Sequence, residues 1–351
     1  MFLYGRLYTN YSEVVSDVDT YTSNLLEGSA VSNADEVVLP DSGETAEDIA
    51  RASWINKKGI ILGGGLLIIH PDKYLINSGF LSYSLSYGSN HKKLSSYAQG
   101  KSIVHIHSND LKKLYIFYPS RFNEQSKIFN ILNYLENLIT LQQRKLEILI
   151  KLKQSFLTKI MANNIDKNPE LYFNSASIKW LKQELSNLTI KEFKGNTKLN
   201  DTKTGKTEYL DAERLNGNVP LFIDKPINTL KSDILILWDG SKAGSVYYGF
   251  EGSLGSTLKA IRLNPKLVNS FFVYQQLKSK QDVIFNKYRT PNIPHVIKNF
   301  TKVYPIYFPS MAVQNKIARF LGNLDTLIEI QQKSIKDHKV IKKYLLQKLF
   351  I

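Results

Sequence analysis

The sequence predicts an α+β protein: two β-rich modules, each followed by a long helix, with the two helices pairing as an antiparallel coiled coil. Three observations predict it. The chain repeats itself internally, two glycine-poor segments carry apolar residues at helical spacing, and the intervening stretches break into short β-branched and aromatic runs.

The repeat is clearest near the ends of the modules. Tyr118–Met161 and Phe308–Ile351 both open on aromatic-Pro-Ser and, after a one-residue gap, align at a constant offset of 189. Twelve of 37 aligned positions are identical, including Gln125/Gln314, Ile128/Ile317, Leu132/Leu321, Gln142/Gln331 and Lys153/Lys342, too many for unrelated helices. Fainter echoes lie upstream: Ile103-Val104-His105 with Ile293-Pro294-His295, Leu67–Pro71 with Ala260–Pro265, and Glu36–Asp41 with Ile234–Asp239. Their offset drifts smoothly, as differing loop lengths in a duplicated unit would make it do. The expected segments are a first module over 1–120, its helix over 121–165, a second module over 166–307 and its helix over 308–351.

In chain order, the first module offers strands at Val37–Leu39, Ile60–Leu62 and Leu66–Ile69, then a short helix at Gly79–Tyr87. Gly63-Gly64-Gly65 reads as a turn or bulge between strands, since it lacks the Lys-Ser/Thr of a P-loop and the Rossmann spacing. Ile128, Leu132, Leu135, Leu138 and Ile139 begin the first helical stripe. From Gln125 to Met161 that helix would run about 55 Å at 1.5 Å per residue, too long to pack fully on one module. The other copy is its natural partner, and the intervening chain is long enough to fold back and make the pair antiparallel. Gln142 and Gln331 interrupt both stripes and are expected to fix register. Ala162–Pro169 is polar and Pro-terminated, a linker expected to accept insertions. The second module repeats the pattern with strands at Ile234–Leu237, Val246–Phe250 and Thr257–Leu263 and a helix at Asn269–Gln281.

Charge narrows the function. The net charge is +15, yet residues 1–50 hold one basic residue against ten acidic ones, so the remainder carries +24. Such a field favours a polyanion, nucleic acid above all; a generally lysine-rich protein is the plainer alternative. The absence of cysteine excludes disulfides, thiolate zinc sites and cysteine nucleophiles. No apolar run reaches the ~18 residues of a membrane span, and Met1–Asn10 lacks the layout of a signal peptide, so no membrane association and a cytoplasmic location are expected. No Asp/Asn-Pro-Pro-aromatic methyltransferase motif or compelling nuclease motif is present. His105 and His107 stand at strand spacing without further ligands to complete a metal site, and the equivalence of His105 and His295 suggests a shared structural hydrogen bond.

The order and spacing of three marker sets resemble the specificity subunits of type I restriction–modification systems over nearly the whole chain. They are Pro309-Ser310…Gln314…Ile317-Ala318…Leu324-Asp325…Leu327-Ile328 with its first-copy match; Trp238-Asp239-Gly240-Ser241…Gly244 with Gly255-Ser256-Thr257; and Ala98–His105. The resemblance implies two target recognition domains, each reading half of a bipartite double-stranded DNA site. It implies that the conserved helices act as a spacer and bind methyltransferase (modification) subunits, with restriction/motor subunits as further partners. It also implies a non-enzymatic chain that binds no cofactor, with S-adenosylmethionine, ATP and magnesium on the partners. The second copy opens near Ile178 with about thirty residues that have no counterpart before Phe2–Thr9, so the first recognition domain is expected to be N-terminally incomplete.

Base reading needs side chains that reach base edges, while Lys and Arg on phosphates position the protein. Candidate DNA contacts in the second module are Lys203, Thr204 and Lys206 on the Gly-containing turn Asn200–Glu208, Ser241 and Lys242 in Asp239–Val246, and Lys287 and Arg289. Those of the first are Ser42, Thr45 and Arg51 in the equivalent loop, with Lys101 and Ser102 downstream. Each competes with the reading of an ordinary solvated loop residue. Two other functions remain open: a non-catalytic scaffold assembled through its helices, and an inactive gene fragment of a specificity subunit.

Overall fold

The computed structural model describes residues 1–7, 10–23, 27–161, 180–198, 204–290 and 294–350. Lys203, Ile178 and the linker Ala162–Pro169 lie outside the described residues. The chain divides into two compact units, Met1–Lys145 with Gln331–Ile351, and Leu146–Ile330, so that each long helix contributes to both.

In the first unit a four-stranded sheet runs in the order Val14–Val15, Ser53–Ile55, Val37–Pro40, Leu66–Ile69, its first pair parallel and the others antiparallel. Two short antiparallel pairs flank it: Ala30–Asn33 with Lys58–Leu62, and Ser42–Gly43 with Val104–His105. The three glycines form the turn between Lys58–Leu62 and Leu66–Ile69, where Gly65 takes a φ of +78°. Helices Ser78–Ser86 and Gly88–Ser95 follow, and Leu81, Leu85 and Leu94 share a core with Val37, Leu39 and Ile49.

The second unit is built on Thr189–Lys194, Leu258–Leu263, Ile234–Leu237 and Val246–Tyr247, all antiparallel in that order. Phe222–Ile223, Thr204–Leu210 and Ser253–Leu254 form a second sheet, and Pro305–Phe308 pairs with Leu181–Glu184. Every residue of Ile234–Leu237 is buried because the strand serves two cores: Ile234 and Ile236 join one, Leu235 and Leu237 the other. That explains a continuous apolar run where a one-sided strand would alternate. Asp233, at its head, is buried and receives a bidentate bond from Arg262, Nε at 2.8 Å and Nη2 at 2.7 Å.

The long helices are Phe122–Ile160 and Met311–Leu349, 39 residues each. They pair antiparallel. In the first unit Lys342 meets Glu136, and Gln142 meets Ser334 at 3.1 Å and His338 at 3.0 Å. In the second, Lys153 is ion-paired with Asp325, and the Phe156 and Phe320 rings meet edge-on at 4.8 Å. As numbers rise along one helix they fall along the other. Gln331 donates to the Gln142 carbonyl oxygen at 3.2 Å. An antiparallel pair brings a residue against its own duplicate at one level only, and here that level is polar.

A second glutamine pair locks each helix onto its module. Gln125 is fully buried; its Oε1 accepts from the Asn77 backbone N–H at 2.8 Å, and its Nε2 donates to the Pro119 and Leu75 carbonyls at 2.8 and 3.0 Å. Gln314 repeats this with the Asn269 N–H at 2.8 Å and the Pro309 and Leu267 carbonyls at 3.0 and 3.4 Å. The same asparagines cap the short helices, Asn77 accepting from Phe80 N–H and Asn269 from Phe272 N–H. The repeated Pro-Ser…Gln motif is therefore a structural clamp.

Two expectations follow. Gln125→Ala or Gln314→Ala strands buried backbone groups at about 1–3 kcal/mol each, so each variant should unfold at clearly lower urea without change in helical content beforehand. An unchanged midpoint would remove the clamp's structural role. In this cysteine-free chain, cysteines at Glu136 and Lys342 should be joined by a short bis-maleimide, whereas cysteines at Glu136 and Asp325, which a parallel pair would juxtapose, should not.

Candidate nucleic-acid interface

In the second unit the loop after Ile234–Leu237 and the segment after helix Gln281–Lys287 fold onto each other. Asp239 bridges His295, the Gly240 N–H donates to the Pro294 carbonyl at 3.0 Å, and the Val296 N–H to the Trp238 carbonyl at 2.9 Å. Arg289 reaches across, donating from Nη1 to the Ser241 carbonyl at 3.0 Å with its guanidinium 5.4 Å from the Phe285 ring centroid. The four candidates Ser241, Lys242, Lys287 and Arg289, on two segments 45–48 residues apart in sequence, are thus brought together through the Arg289–Ser241 bond. The first three are exposed and Arg289 is half-buried.

Glycines shape this loop. Gly240 and Gly244 take φ of +113° and +97°, which L side chains rarely adopt, and a Cβ on Gly244 would sit 2.9 Å from Phe285. Beneath it the Lys259 ammonium lies 3.9 Å from the Trp238 ring centroid and is ion-paired with Glu192, while Lys194 reaches Asp239 at 2.6 Å. Lys194 could not be picked out from sequence because it lies on the strand Thr189–Lys194, which no echo in the first copy marks.

Thr204 and Lys206 are placed differently from the expected turn. They are exposed on the strand Thr204–Leu210, where both Thr204 and Thr207 face Ile223 across a register irregularity. Gly205 makes this possible: a Cβ there would meet the Ile223 carbonyl oxygen at 2.3 Å.

The first unit repeats the backbone plan with other side chains. Ser42 pairs with His105, and Gln99 and His105 exchange backbone bonds at 3.0 and 2.8 Å, just as the Thr290 N–H donates to the His295 carbonyl at 3.0 Å. Lys101 and Ser102 are exposed at the tip between Gln99 and His105. Thr45 is already engaged as a helix cap, accepting from Asp48 N–H at 3.1 Å and donating to Asp48 Oδ2 at 2.7 Å. Arg51 is half-buried, and its charge acts on the Tyr87 hydroxyl, whose pKa burial pushes up. Beside Ser42 a depression of about 500 Å³ is lined by Tyr4, Gly5, Gly43, Glu44, Asp48 and Ile103, with two carboxylates and no cation. A phosphate would meet repulsion there.

The expected shared histidine bond is a backbone one. His295 Nδ1 lies 3.0 Å from Thr290 Oγ1, whereas His105 is exposed and its ring lies parallel to that of His107 at 6.4 Å. Among the described residues no three His, Cys, Asp or Glu side chains are grouped to hold a metal ion, and no helix is long and apolar enough to cross a membrane.

Known proteins share these features. The type I restriction modification DNA specificity domain matches residues 16–154 and 183–337. The MjaVIII type I restriction enzyme specificity subunit of Methanocaldococcus jannaschii is 33% identical over 150 residues, covering 42% of this chain and only 35% of that subunit. A putative type I specificity subunit of Mycoplasma genitalium is 28% identical over 286 residues, 77% of this chain and 70% of its own length. Among solved structures, the M. genitalium type I restriction–modification S subunit superposes with a TM-score of 0.70 at 20% identity, covering all of this chain and 92% of that one. A chain from a study of type I complex assembly gives 0.52 at 15% identity, over 91% and 82%. With the family matching both halves of a duplicated chain of the same fold, this protein belongs to the type I restriction modification DNA specificity domain family.

Proposed function

We propose that this chain is the DNA-reading, non-catalytic subunit of a type I restriction–modification complex, and that its second unit contacts one half-site through Ser241, Lys242, Lys287 and Arg289. The observation that carries the reading is their convergence from two segments onto one glycine-shaped, exposed loop. Exposed ammonium groups there suit phosphates, and the backbone at Gly240 and Gly244 permits close approach. Arg289, held by Ser241 and Phe285, is preorganised for a guanine edge or a phosphate. Thr204 and Lys206 would extend the contact from a second sheet. The acidic first-unit loop supports a smaller contribution from Ser42, Lys101 and Ser102 to a bipartite site.

In this reading the paired helices space the two readers and dock modification subunits. S-adenosylmethionine, ATP and magnesium then belong to the modification and restriction partners, and the cell compartment is the cytoplasm, where the genome lies.

DNA binding should weaken steeply with salt, with a log–log slope near −0.9 for each phosphate contact. Lys242→Ala and Lys287→Ala should each flatten that slope by about one and weaken binding on all sequences alike. Arg289→Ala should change which sites are methylated when the cognate modification subunits are present, read by methylation-site sequencing. Salt-independent binding, or slopes unmoved by both lysine variants, would favour the scaffold alternative.

A further inference from the structure

The loop that carries Ser241 and Lys242 also carries one acid. Asp239 is the only Asp or Glu in 238–246, and none stands in 283–296, the segment that brings Lys287 and Arg289. A carboxylate among groups suited to phosphates works against them, because it repels the polyanion. Its presence there calls for a role that offsets the repulsion.

The backbone does not need it. In the second unit Leu237 pairs with Leu258, the Trp238 N–H donates to the Thr257 carbonyl at 2.8 Å, the Trp238 carbonyl accepts from the Val296 N–H, and Asp239 bridges His295. In the first unit Pro40 pairs with Leu66, the Asp41 N–H donates to the Gly65 carbonyl at 3.0 Å, the Asp41 carbonyl accepts from the Ile106 N–H at 3.1 Å, and Ser42 pairs with His105. Asp239 and Ser42 therefore hold the same position in the duplicated backbone, one residue out of step with the sequence echo of Glu36–Asp41 in Ile234–Asp239. One copy fills that position with a carboxylate and the other with a hydroxyl, around the same main-chain bonds.

Nor does the carboxylate brace its own loop. Aspartate in a turn commonly accepts from a backbone N–H nearby. Among the described residues the Asp239 side chain makes no such bond, and its partner is Lys194, at 2.6 Å from Oδ2. The two side chains remain 40% and 49% exposed, so this ion pair adds little to stability. Lys194 thus offsets the charge at Oδ2, while Oδ1 keeps its lone pairs open.

We propose that Asp239 is a base-reading residue whose Oδ1 accepts from the N4 amino group of a cytosine in the major groove. Lys194 is its positioning residue, holding Oδ2 and offsetting its charge against the phosphates. The inference rests on the DNA-reading function proposed above. The base follows from the chemistry of a carboxylate, which only accepts. Cytosine presents an amino donor with no acceptor beside it on its own ring. Adenine sets its amino group next to the N7 acceptor, and guanine and thymine present acceptors. Ser42, which both donates and accepts, carries no such preference, so the two copies differ in what they read from one backbone position.

In the test the full chain, bound to its cognate modification subunits, enriches duplexes from a random pool, and its affinity for one unrelated duplex is measured across salt. The wild type should enrich a cytosine at one position of a half-site. Asp239→Ala should lower that preference by about fivefold or more, the discrimination a good base contact supplies, and leave the other positions as they were. It should bind the unrelated duplex as tightly as the wild type or more tightly, because a negative charge has gone. The near-isosteric Asp239→Asn, whose amide also donates, should move the preference towards adenine. Lys194→Gln should keep the cytosine and weaken binding severalfold on all sequences. Three results overturn the inference and leave the DNA-reading function standing: an unchanged site in Asp239→Ala, a lost preference for a base other than cytosine, or equal weakening on every sequence by Asp239→Ala and Lys194→Gln alike, which a loop brace would produce. A wild-type complex that enriches no sequence, or binds without salt dependence, overturns both.

Discussion

The buried glutamine at the start of each long helix is the constraint on which the rest of each module depends. A helix of 39 residues, about 58 Å long, needs a fixed direction where it leaves its module, because a small angular error at one end becomes a large displacement at the other. Gln125 and Gln314 supply it by binding three backbone groups on two separate segments. A primary amide suits this role, because it has one acceptor and a two-hydrogen donor, and no charge to desolvate. The asparagine whose N–H is gripped also caps the short helix beneath, so helix start and sheet-covering helix are positioned together.

The second level of organisation is the strand shared between two cores. Ile234–Leu237 sends alternate side chains to opposite cores, so it cannot shift register by one residue without exchanging both sets. The loop that follows inherits that rigidity. Ser241 and Lys242 project from a turn that leaves the double-sided strand, is held at Asp239 and Gly240 by His295 and Pro294, and returns through the Gly244 N–H to the Leu237 carbonyl at 2.7 Å. The candidate interface is thus a loop on a stiff frame, while Arg289 reaches it from a separate segment through its bond to the Ser241 carbonyl and its stacking on Phe285.

Periodicity and repetition made the architecture legible. The helical stripes, the Gln142–Gln331 meeting and the equivalence of the 36–41 and 234–239 strands all follow from patterns a single chain displays. Local roles were less visible. Thr45 is consumed by a cap, and Thr204 and Lys206 lie on a strand because Gly205 admits Ile223 closely rather than because it turns the chain. Lys194 took its place near Asp239 through strand pairing, which leaves no local signature. Asn90 is the clearest case: it donates to the Phe117 carbonyl as Gln276 donates to that of Tyr307, but from a different helix, so no alignment of the two copies matches them. Duplicated backbones preserve a need more faithfully than they preserve the residue that meets it.

Each clamp draws all its partners from its own copy: Gln125 binds residues 75, 77 and 119, and Gln314 binds 267, 269 and 309. The anchorage is therefore portable. A genetic exchange with breakpoints inside the helices, downstream of either glutamine, would carry a module together with the means of holding its helix. The exchange would still have to preserve the pairs across the helices, Glu136 with Lys342, Gln142 with Ser334 and His338, and Lys153 with Asp325. Each module is thus built with its own anchorage, and the helix pair is what the two modules hold in common.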